Sequence, residues 1–165
     1  LASNSLLEGL VFGKRLAAFL NASEPEASGG ETVEIVRPPL NPEIARRLDT
    51  AALKEKVMEN TGVIRTETGL RHLLQWLEAR GADTFSAFSL DHLTKEEIEK
   101  VFMFTNSFFI TQSALFRKES RGAHIRADYP DESSDWQGIH LIHAKNKGLI
   151  ARRGLYEQAQ TSIHA

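Results

Sequence analysis

Apolar side chains near the start of the chain follow a helical pattern that covers almost every face. The pattern runs over residues 3–20, and Ser3 or Asn4 is expected to cap the helix, because a short side-chain oxygen accepts from the free N–H groups of the first turn. Gly9 and Gly13 lie four residues apart on one face, which lets another backbone or a ligand approach closely. A helix that is apolar all round is normally buried in a larger protein, so we expect this one to pack inside something larger.

A second helix is predicted to begin at Asn41-Pro42-Glu43. Asparagine is a cap residue, proline suits the first helical position, and the acid faces the positive end of the helix dipole. Apolar residues continue at helical spacing as far as Met58, and residues 60–62 are expected to end the helix. The pattern therefore predicts one uninterrupted helix between these two signals.

A third helix is predicted to follow Thr66, with Glu67 in its first turn. Its apolar stripe is narrow and of the kind used in helix bundles, because four leucines fall at positions i, i+3, i+4 and i+7. Gly81 stands where a left-handed residue is expected to end the helix. The leucines of the stripe are Leu70, Leu73, Leu74 and Leu77.

The fourth helix has the clearest start signal. Thr94 and Glu97 form a capping-box pattern, in which each side chain binds the other residue's free N–H. The apolar spacing that follows predicts a helix over residues 94–120, about 40 Å long at roughly 1.5 Å per residue, with Gly122 at its end. Its aliphatic and aromatic side chains are interpreted as core, since helical spacing alone explains them.

The remaining segments lack a long helical pattern. Proline, glycine, serine and glutamate indicate a linker after the first helix. Near the end of the chain, Ile139–His143 and Leu149–Ala151 are expected to pair as a hairpin around Lys145–Gly148. The predicted fold class is all-α, with a separate helix at residues 1–20, a linker at 21–40, a three-helix bundle at 41–122 and an irregular tail at 123–165.

Composition excludes several classes of protein. The 165 residues carry a net charge of −2 with acids and bases interspersed, so no basic tract suggests a nucleic-acid partner. The chain has no cysteine, which excludes disulfides and thiolate metal sites. Its apolar runs, such as Phe108–Ile110, are too short to span a membrane, and no basic segment precedes the first apolar residues. We expect a cytoplasmic protein and, because Leu1 stands where Met would, a chain that begins in mid-protein.

No self-contained active site is recognisable in the sequence. Neither Gly-x-Gly-x-x-Gly nor Gly-x-Ser-x-Gly occurs, so the chain offers no Rossmann phosphate site and no hydrolase nucleophile. His140 and His143 are three residues apart, but an extended segment places such a pair on opposite faces, so we assign no metal site. The simplest interpretation of His124 is a hydrogen-bonded surface or interface histidine.

Two longer motifs resemble a known family of flavoproteins. Leu1–Glu8 (LASNSLLE) is similar to the segment that closes the FAD-binding domain in the aspartate oxidase, succinate dehydrogenase and fumarate reductase family. Glu119–Pro130 (ESRGAHIRADYP) resembles the motif that follows the long helix of that family's C-terminal helical domain. Between them, Val57–Arg65 (VMENTGVIR) is similar to a bundle helix of the family and its exit. The order and spacing also fit, and the resemblance covers about residues 1–143.

Within the family, the resemblance favours the aspartate oxidases. Ala2 and Glu8 are similar to that branch, whereas succinate dehydrogenases tend to have Gly and Asp there, and the chain stops soon after the second motif, as aspartate oxidases do. The resemblance implies the C-terminal part of an enzyme of NAD biosynthesis that oxidises L-aspartate to iminoaspartate with FAD, which oxygen or fumarate reoxidises. The implied partners are the N-terminal FAD-binding and substrate-capping domains, and quinolinate synthase, which would receive the product. The chain alone is not expected to be active or to bind FAD tightly.

The resemblance also implies a cofactor site at the start of the first helix. The family residues that match Ser5 and Leu6 lie against the pyrimidine edge of the flavin, where free N–H groups and the helix dipole favour negative charge. Asn4 is grouped with them as a cofactor-binding residue. The family's substrate-binding arginine would stand immediately before Leu1, so no catalytic residue is expected within this chain.

The second motif is expected to be structural. Glu119, Arg121, His124 and Arg126 would tie the end of the long helix to the domain beneath it through charged hydrogen bonds. Direct contact of these side chains with substrate stays open as the alternative. For the whole chain two other interpretations stay open: a fragment of a succinate dehydrogenase or fumarate reductase flavoprotein, and a non-catalytic helical binding module.

Overall fold

The fold comes from a computed structural model, which describes residues 2–22, 36–144 and 148–153. The chain divides into two compact units, Leu1–Val36 and Arg37–Ala165. The first unit contains helix α1, Ala2–Ala22. Ser3 and Asn4 therefore lie inside its first turn rather than before it, which corrects the predicted cap.

Two helices open the second unit where the sequence predicted one. Helix α2 spans Pro42–Arg46 and helix α3 spans Thr50–Thr61. Between them Asp49 is extended, with φ −91° and ψ 102°, and its carboxylate accepts the N–H groups two and three residues later at 2.9 and 3.1 Å. A side chain that binds backbone N–H groups in this way starts a new helix, so the predicted uninterrupted helix is wrong at Asp49.

Helix α4, Glu67–Glu78, follows the predicted pattern closely. The Thr66 hydroxyl accepts from the N–H of Gly69 at 3.2 Å, so the predicted cap is confirmed. Three of the four predicted leucines are fully buried, and the helix is followed by Gly81 at φ 79°, the left-handed conformation that glycine adopts most readily. Leu70, Leu73 and Leu77 are the buried leucines, and Leu74 packs beside the core.

Helix α5 spans Lys95–Phe116. Both halves of the capping box are present, because the Thr94 hydroxyl accepts from the Glu97 N–H at 3.3 Å and the Glu97 carboxylate accepts from the Thr94 N–H at 2.9 Å. The predicted extension to residue 120 is wrong, since Arg117 is extended at ψ 108°. The helix ends early because Arg126, further along the chain, binds its last carbonyls.

The core of the second unit lies among α2, α3, α4 and α5 and the segments that join them. Trp76 of α4 stacks on Phe104 of α5 with ring centroids 5.7 Å apart. Each fully buried leucine or phenylalanine contributes roughly 1.5–3 kcal/mol through the apolar surface that it removes from water. The unit is mainly helical, as predicted. Its most buried apolar side chains include Leu40, Ala45, Leu53, Leu73, Leu77, Phe85, Val101 and Phe104.

Two pairs of short strands are also present, and the sequence predicted only the second pair. Strand β1, Ile64–Arg65, pairs in parallel with β2, Ile125–Arg126. Strand β3, Ile139–Ala144, pairs antiparallel with β4, Gly148–Arg153. The second pair confirms the predicted hairpin. The segment after α5 is therefore more regular than the irregular tail that the sequence predicted.

Candidate functional site

A cluster of charged side chains lies where the chain leaves α5 and meets the start of α4. The pairing of β2 with β1 brings the motif after α5 beside the residues that precede α4. The ladder continues past its second residue, because the N–H of Ala127 donates to the Arg65 carbonyl at 2.8 Å. The members of this charged cluster are Arg65, Arg117, Glu119, Arg121, His124, Arg126 and Asp128.

Arg126 is the centre of the charged cluster, and its side chain is 0% exposed. Its Nε and Nη2 donate to the two carboxylate oxygens of Asp128 at 2.8 and 2.6 Å, which is a bidentate pair. Its Nη1 donates to the carbonyl of Ala114 at 2.8 Å and to those of Leu115 and Arg117 at 3.3 Å. The last carbonyls of a helix have no N–H partners within the helix. The Arg126 guanidinium donates to these carbonyls instead, and α5 ends here.

Asp128 extends the same network to α4. Its Oδ2 accepts from the backbone N–H of Glu67, the first residue of α4, at 2.9 Å. The hydrogen bonds from Arg126 lower the pKa of the Asp128 carboxyl from 3.8 to about 2, against the effect of burial and with help from the Glu67 N–H. One ionised carboxylate therefore joins the end of α5, through Arg126, to the start of α4.

Glu119 is the second carboxylate of the charged cluster, and unlike that of Asp128 its side chain is 0% exposed. It accepts from the Arg117 guanidinium, from Arg121 at 3.1–3.2 Å and from the backbone N–H of Ser133 at 3.0 Å. Burial raises the pKa of Glu119, but the hydrogen bonds from Arg121, the Ser133 N–H and Arg117 outweigh it and bring the pKa from 4.5 to about 2. Glu119 is therefore ionised at neutral pH and fully engaged.

The two arginines that hold Glu119 also reach the later segments of the chain. Arg117 donates to the Ile139 carbonyl at 2.5 Å and lies over the Trp136 ring, 4.9 Å from its centroid. Arg121 pairs with Glu132 at 2.9 Å. The charged cluster thus fixes the start of the β3–β4 hairpin as well as the end of α5.

His124 lies between Arg65 of β1 and the backbone of Arg117 at the end of α5. Its Nδ1 is 2.9 Å from Nη1 of Arg65, and its Nε2 is 3.2 Å from the carbonyl of Arg117. Arginine only donates, so Nδ1 accepts and Nε2 carries the proton. Burial, and the positive charges of Arg65, Arg126 and Arg117, lower the pKa of His124 below 6.5, although the carbonyl contact opposes them. The imidazole is therefore neutral at neutral pH.

The contacts fit a network that holds the chain in place. Its two carboxylates are ionised and bound, and no buried side-chain nitrogen or oxygen in the described residues lacks a hydrogen-bond partner. General acid or base catalysis needs a group that is within reach of substrate and titrates near the working pH. Glu119 and Asp128 titrate too low for that, so the geometry agrees with the structural role expected for this motif.

Sequence reasoning found four members of the charged cluster and missed three. Glu119, Arg121, His124 and Arg126 are brought together as expected, but the partner roles of Arg65, Arg117 and Asp128 were not predicted. One signal was present, because the dipeptide Ile-Arg occurs at residues 64–65 and again at 125–126, and these two dipeptides form the parallel ladder. Such a short parallel pair leaves no periodicity along the sequence that would reveal it.

The cofactor-binding residues predicted from the sequence fall in the other unit. Asn4, Ser5 and Leu6 lie near the start of α1, and their side chains are outside the described part of the structure. Their role toward FAD therefore stays a prediction.

The histidines of the hairpin have other partners than a metal. His143 Nε2 lies 2.8 Å from the Ser113 hydroxyl and 3.1 Å from the Phe109 carbonyl, and its ring packs on that of Phe109 at 4.4 Å. Over the described residues, no group of three or more potential ligand side chains is placed to hold a metal ion. Among the helices that the structure describes, none combines the length and apolar character needed to cross a membrane.

Comparisons with known proteins place the chain among flavoproteins. The family described as "Fumarate reductase flavoprotein C-term" matches residues 50–155, which is more than half of the chain. A protein named L-aspartate oxidase from Bacillus subtilis (strain 168) is 33% identical over 157 residues, covering 93% of this chain and 28% of that protein. One with the same name from Rhodospirillum rubrum is 38% identical over 137 residues, covering 79% of this chain and 43% of that protein.

A solved structure titled "Mycobacterium smegmatis Sdh1 complex in the apo form" is 19% identical to the chain, with a TM-score of 0.49, and covers 88% of this chain and 24% of the solved one. The chain thus spans less than half the length of the relatives that it matches. The match over residues 50–155 includes α3, α4, α5 and the whole charged cluster. The chain therefore belongs to the family of fumarate reductase flavoprotein C-terminal domains.

Proposed function

We propose that this chain is the C-terminal part of an L-aspartate oxidase, an FAD-dependent enzyme that oxidises L-aspartate to iminoaspartate. The observation that carries the proposal is the 33% identity to the Bacillus subtilis L-aspartate oxidase across 93% of the chain. The family match supports a flavoprotein, and the relatives' greater length supports a larger whole. Oxygen or fumarate would reoxidise the flavin, and the product would pass to quinolinate synthase in the cytoplasm.

The charged cluster would serve this enzyme by holding the C-terminal domain in one shape. Its arginines and carboxylates satisfy one another, and the Arg126 and Glu119 side chains are fully buried. A cationic side chain that binds a substrate carboxylate must be accessible to the substrate. Arg126 has none of its surface exposed, so a direct substrate role for Arg126 and Glu119 is the less favoured alternative.

The first turn of α1 has the chemistry to meet a flavin. The helix begins at Ala2, so the N–H groups of residues 2–4 have no helical carbonyl to bind and the positive end of the helix dipole lies there. These groups suit the polar edge of an isoalloxazine ring, which takes on negative charge when the flavin is reduced. Asn4 would offer its backbone N–H, and Ser5 and Leu6, which follow it directly, would contact the ring.

FAD, when bound, would supply the two-electron chemistry that no side chain of this chain provides. The adenine and pyrophosphate parts of FAD need a glycine-rich phosphate site, and the sequence contains no Gly-x-Gly-x-x-Gly. The N-terminal FAD-binding and substrate-capping domains of the intact protein would provide that site and most of the substrate contacts.

The activity is tested on the intact natural protein that contains this sequence. Anaerobic addition of L-aspartate is expected to bleach its flavin absorbance, and addition of oxygen to restore it with production of hydrogen peroxide. Succinate is the matched control substrate. Bleaching by succinate but not by aspartate would move the assignment to the succinate dehydrogenases and fumarate reductases. A natural protein that contains no flavin would leave a non-catalytic helical module.

The proposed cofactor contact is tested by Ser5→Ala in the same intact protein. Loss of the hydroxyl is expected to lower the ratio of bound flavin to protein, read from the absorbance of the purified protein. Ser3→Ala, in the same turn of α1, is the matched control and is expected to retain the flavin. Equal flavin content in both variants would remove Ser5 from the cofactor site without affecting the assignment of the activity.

A further inference from the structure

Three histidines of the second unit make hydrogen bonds that respond differently to protonation. His92 Nε2 lies 2.7 Å from the Leu40 carbonyl, and His143 Nε2 lies 3.1 Å from the Phe109 carbonyl. A carbonyl only accepts, so both contacts survive when the imidazole gains a proton, because the protonated ring donates from both nitrogens.

His124 is different, because one of its nitrogens must accept. Nδ1 faces Nη1 of Arg65 at 2.9 Å, and the guanidinium has no lone pair with which to accept a hydrogen bond in return. A proton on Nδ1 would set two donors against each other at hydrogen-bonding distance. It would also place two like charges in contact. The Arg65–His124 contact therefore exists only with the neutral imidazole.

Among the described residues, the charged groups around His124 are cations, and the nearby carboxylates are paired with other side chains. Arg65 comes from β1, and Arg117 and Arg126 add positive charge from the exit of α5 and from β2. Of the carboxylates in its own loop, Glu119 is held by Arg117 and Arg121, and Asp128 is held by Arg126.

The first acid of α4 is also engaged. Glu67 pairs with Arg71 of the same helix at 2.6 Å. Arg65, Arg117 and Arg126 thus act on His124 as cations, while Glu119, Asp128 and Glu67 are paired with other arginines.

The Arg65–His124 contact is also well placed to control the ladder between β1 and β2. Arg65 is the last residue of β1, and His124 immediately precedes β2. The ladder is only two residue pairs long, Ile64 with Ile125 and Arg65 with Arg126, so it has few bonds of its own. The Nε of Arg65 is anchored on the other side by the carbonyls of Thr61 and Gly62, at 3.3 and 3.2 Å.

We propose that the Arg65–His124 contact is an acid-sensitive latch, whose protonation opens the β1–β2 ladder while the helices of the second unit stay folded. The opened state frees the loop after α5 from the connection between α3 and α4. This device is independent of the proposed enzyme activity, since it uses only contacts within the second unit.

The sign of the pH effect follows from the protonation states of the closed and open forms. Burial lowers the pKa of His124 in the closed form, and exposure to water in the open form is expected to return it to the ordinary value of 6.5. The open form therefore binds more protons below pH 6.5. Its population is expected to rise as the pH falls below that value, by at most tenfold per pH unit, until the closed form also titrates.

The test is amide hydrogen exchange of the full 165-residue chain at a series of pH values, corrected for the intrinsic rate of exchange. The reporter is the N–H of Ala127, which donates to Arg65 across the ladder at 2.8 Å. Its protection is expected to fall as the pH drops below 6.5, by at most tenfold per pH unit, whereas that of Thr105 in the middle of α5 stays constant.

Two variants separate the latch from a general effect of acid. His124→Asn keeps an oxygen near the position of Nδ1 that accepts from Arg65, and this residue does not titrate, so protection at Ala127 is expected to become independent of pH. His92→Gln is the matched control and is expected to keep the wild-type pH dependence. If His124→Asn does not fold, Arg65→Gln serves instead, since an amide donates to His124 without charge and the dependence is expected to weaken.

Two outcomes would overturn the proposal. One is that the protection of the Ala127 N–H in the wild type is the same at pH 7 as at pH values well below 6.5. The other is a pH dependence that persists unchanged in His124→Asn. Loss of protection at Ala127 and Thr105 together would show global unfolding rather than a latch and would count equally against it.

Discussion

The two ends of α5 are held by different means. At the start, Thr94 and Glu97 bind each other's N–H groups within one turn of the chain. At the end, the carbonyls are bound by Arg126, which is several residues further on and returns to the helix through the β1–β2 ladder. The start is therefore a property of four consecutive residues, and the end is a property of the folded unit.

This difference has an energetic consequence. A capping box is made by side chains that water can still reach in part, so losing it costs about 1 kcal/mol. A fully buried arginine with a bidentate carboxylate has been removed from water, and deleting either partner leaves the other unpaired. The two ends are therefore expected to respond very differently to single substitutions and to acid.

The largest effect is expected from Arg126→Met. The change leaves Asp128 without its partner and the last carbonyls of α5 without donors, so the free energy of unfolding is expected to fall by about 3–5 kcal/mol. Urea denaturation followed by circular dichroism measures it. Arg46→Met is the matched control, because Arg46 is also paired with carboxylates, those of Glu43 and Glu97, but its side chain is 59% exposed. Similar losses in the two variants would contradict the comparison.

Acid is expected to have the next largest effect, and to act on the end of α5. Glu119 and Asp128 both have pKa values lowered to about 2, from 4.5 and 3.8. A lowered carboxyl pKa stabilises the fold above the unfolded value, and this contribution is lost as the pH falls through the folded value.

The difference in unfolding free energy between wild type and Glu119→Gln is therefore expected to be full above pH 4.5 and to shrink as the pH falls towards 2. Urea denaturation of both proteins at matched pH values measures this difference. A difference that stays constant over the range would show that the charge of Glu119 is not what stabilises the fold.

A smaller effect is expected from Thr94→Ala at the start of α5. Loss of the hydroxyl leaves the Glu97 N–H without its side-chain acceptor, and the free energy of unfolding is expected to fall by about 1 kcal/mol. The same denaturation experiment measures it. Thr68→Ala, an exposed threonine inside α4, is the control and is expected to change stability by less than about 0.5 kcal/mol. A loss as large as that of Arg126→Met would erase the distinction between the two ends.

The smallest effect is expected from Glu97→Gln. The amide oxygen can still accept from the Thr94 N–H, so the capping box is retained and only the charge facing Arg46 is lost. The urea midpoint is expected to move less than in Thr94→Ala, and the movement should diminish in high salt. A midpoint shift larger than that of Thr94→Ala would mean that the ion pair with Arg46, rather than the cap, holds this end.

The parts of the fold that could be predicted are those with local signals. The Thr66 cap, the leucines of α4, the capping box of α5 and the β3–β4 hairpin each depend on residues close together in sequence. These local patterns were sufficient to predict the elements, because each pattern has the same short-range geometry in most proteins.

The errors arose where a competing partner decides the structure. The break at Asp49 depends on its carboxylate taking the N–H groups of the next turn, although the apolar spacing runs on unbroken. The early end of α5 depends on Arg126, and the partners of Glu119 lie on both sides of it along the chain. The resemblance indicated where the motif lies, but only the tertiary pairing shows which cations meet which anions.

The β1–β2 ladder also affects the order in which the second unit forms. It joins residue 64 to residue 125, and α4 and α5 lie between them. Closing so long a loop costs chain entropy before its contacts return any stability, whereas contacts within each helix form over a few residues. We expect the ladder to close after the folding transition state, so that Arg126→Met raises the unfolding rate and leaves the refolding rate nearly unchanged in stopped-flow measurements.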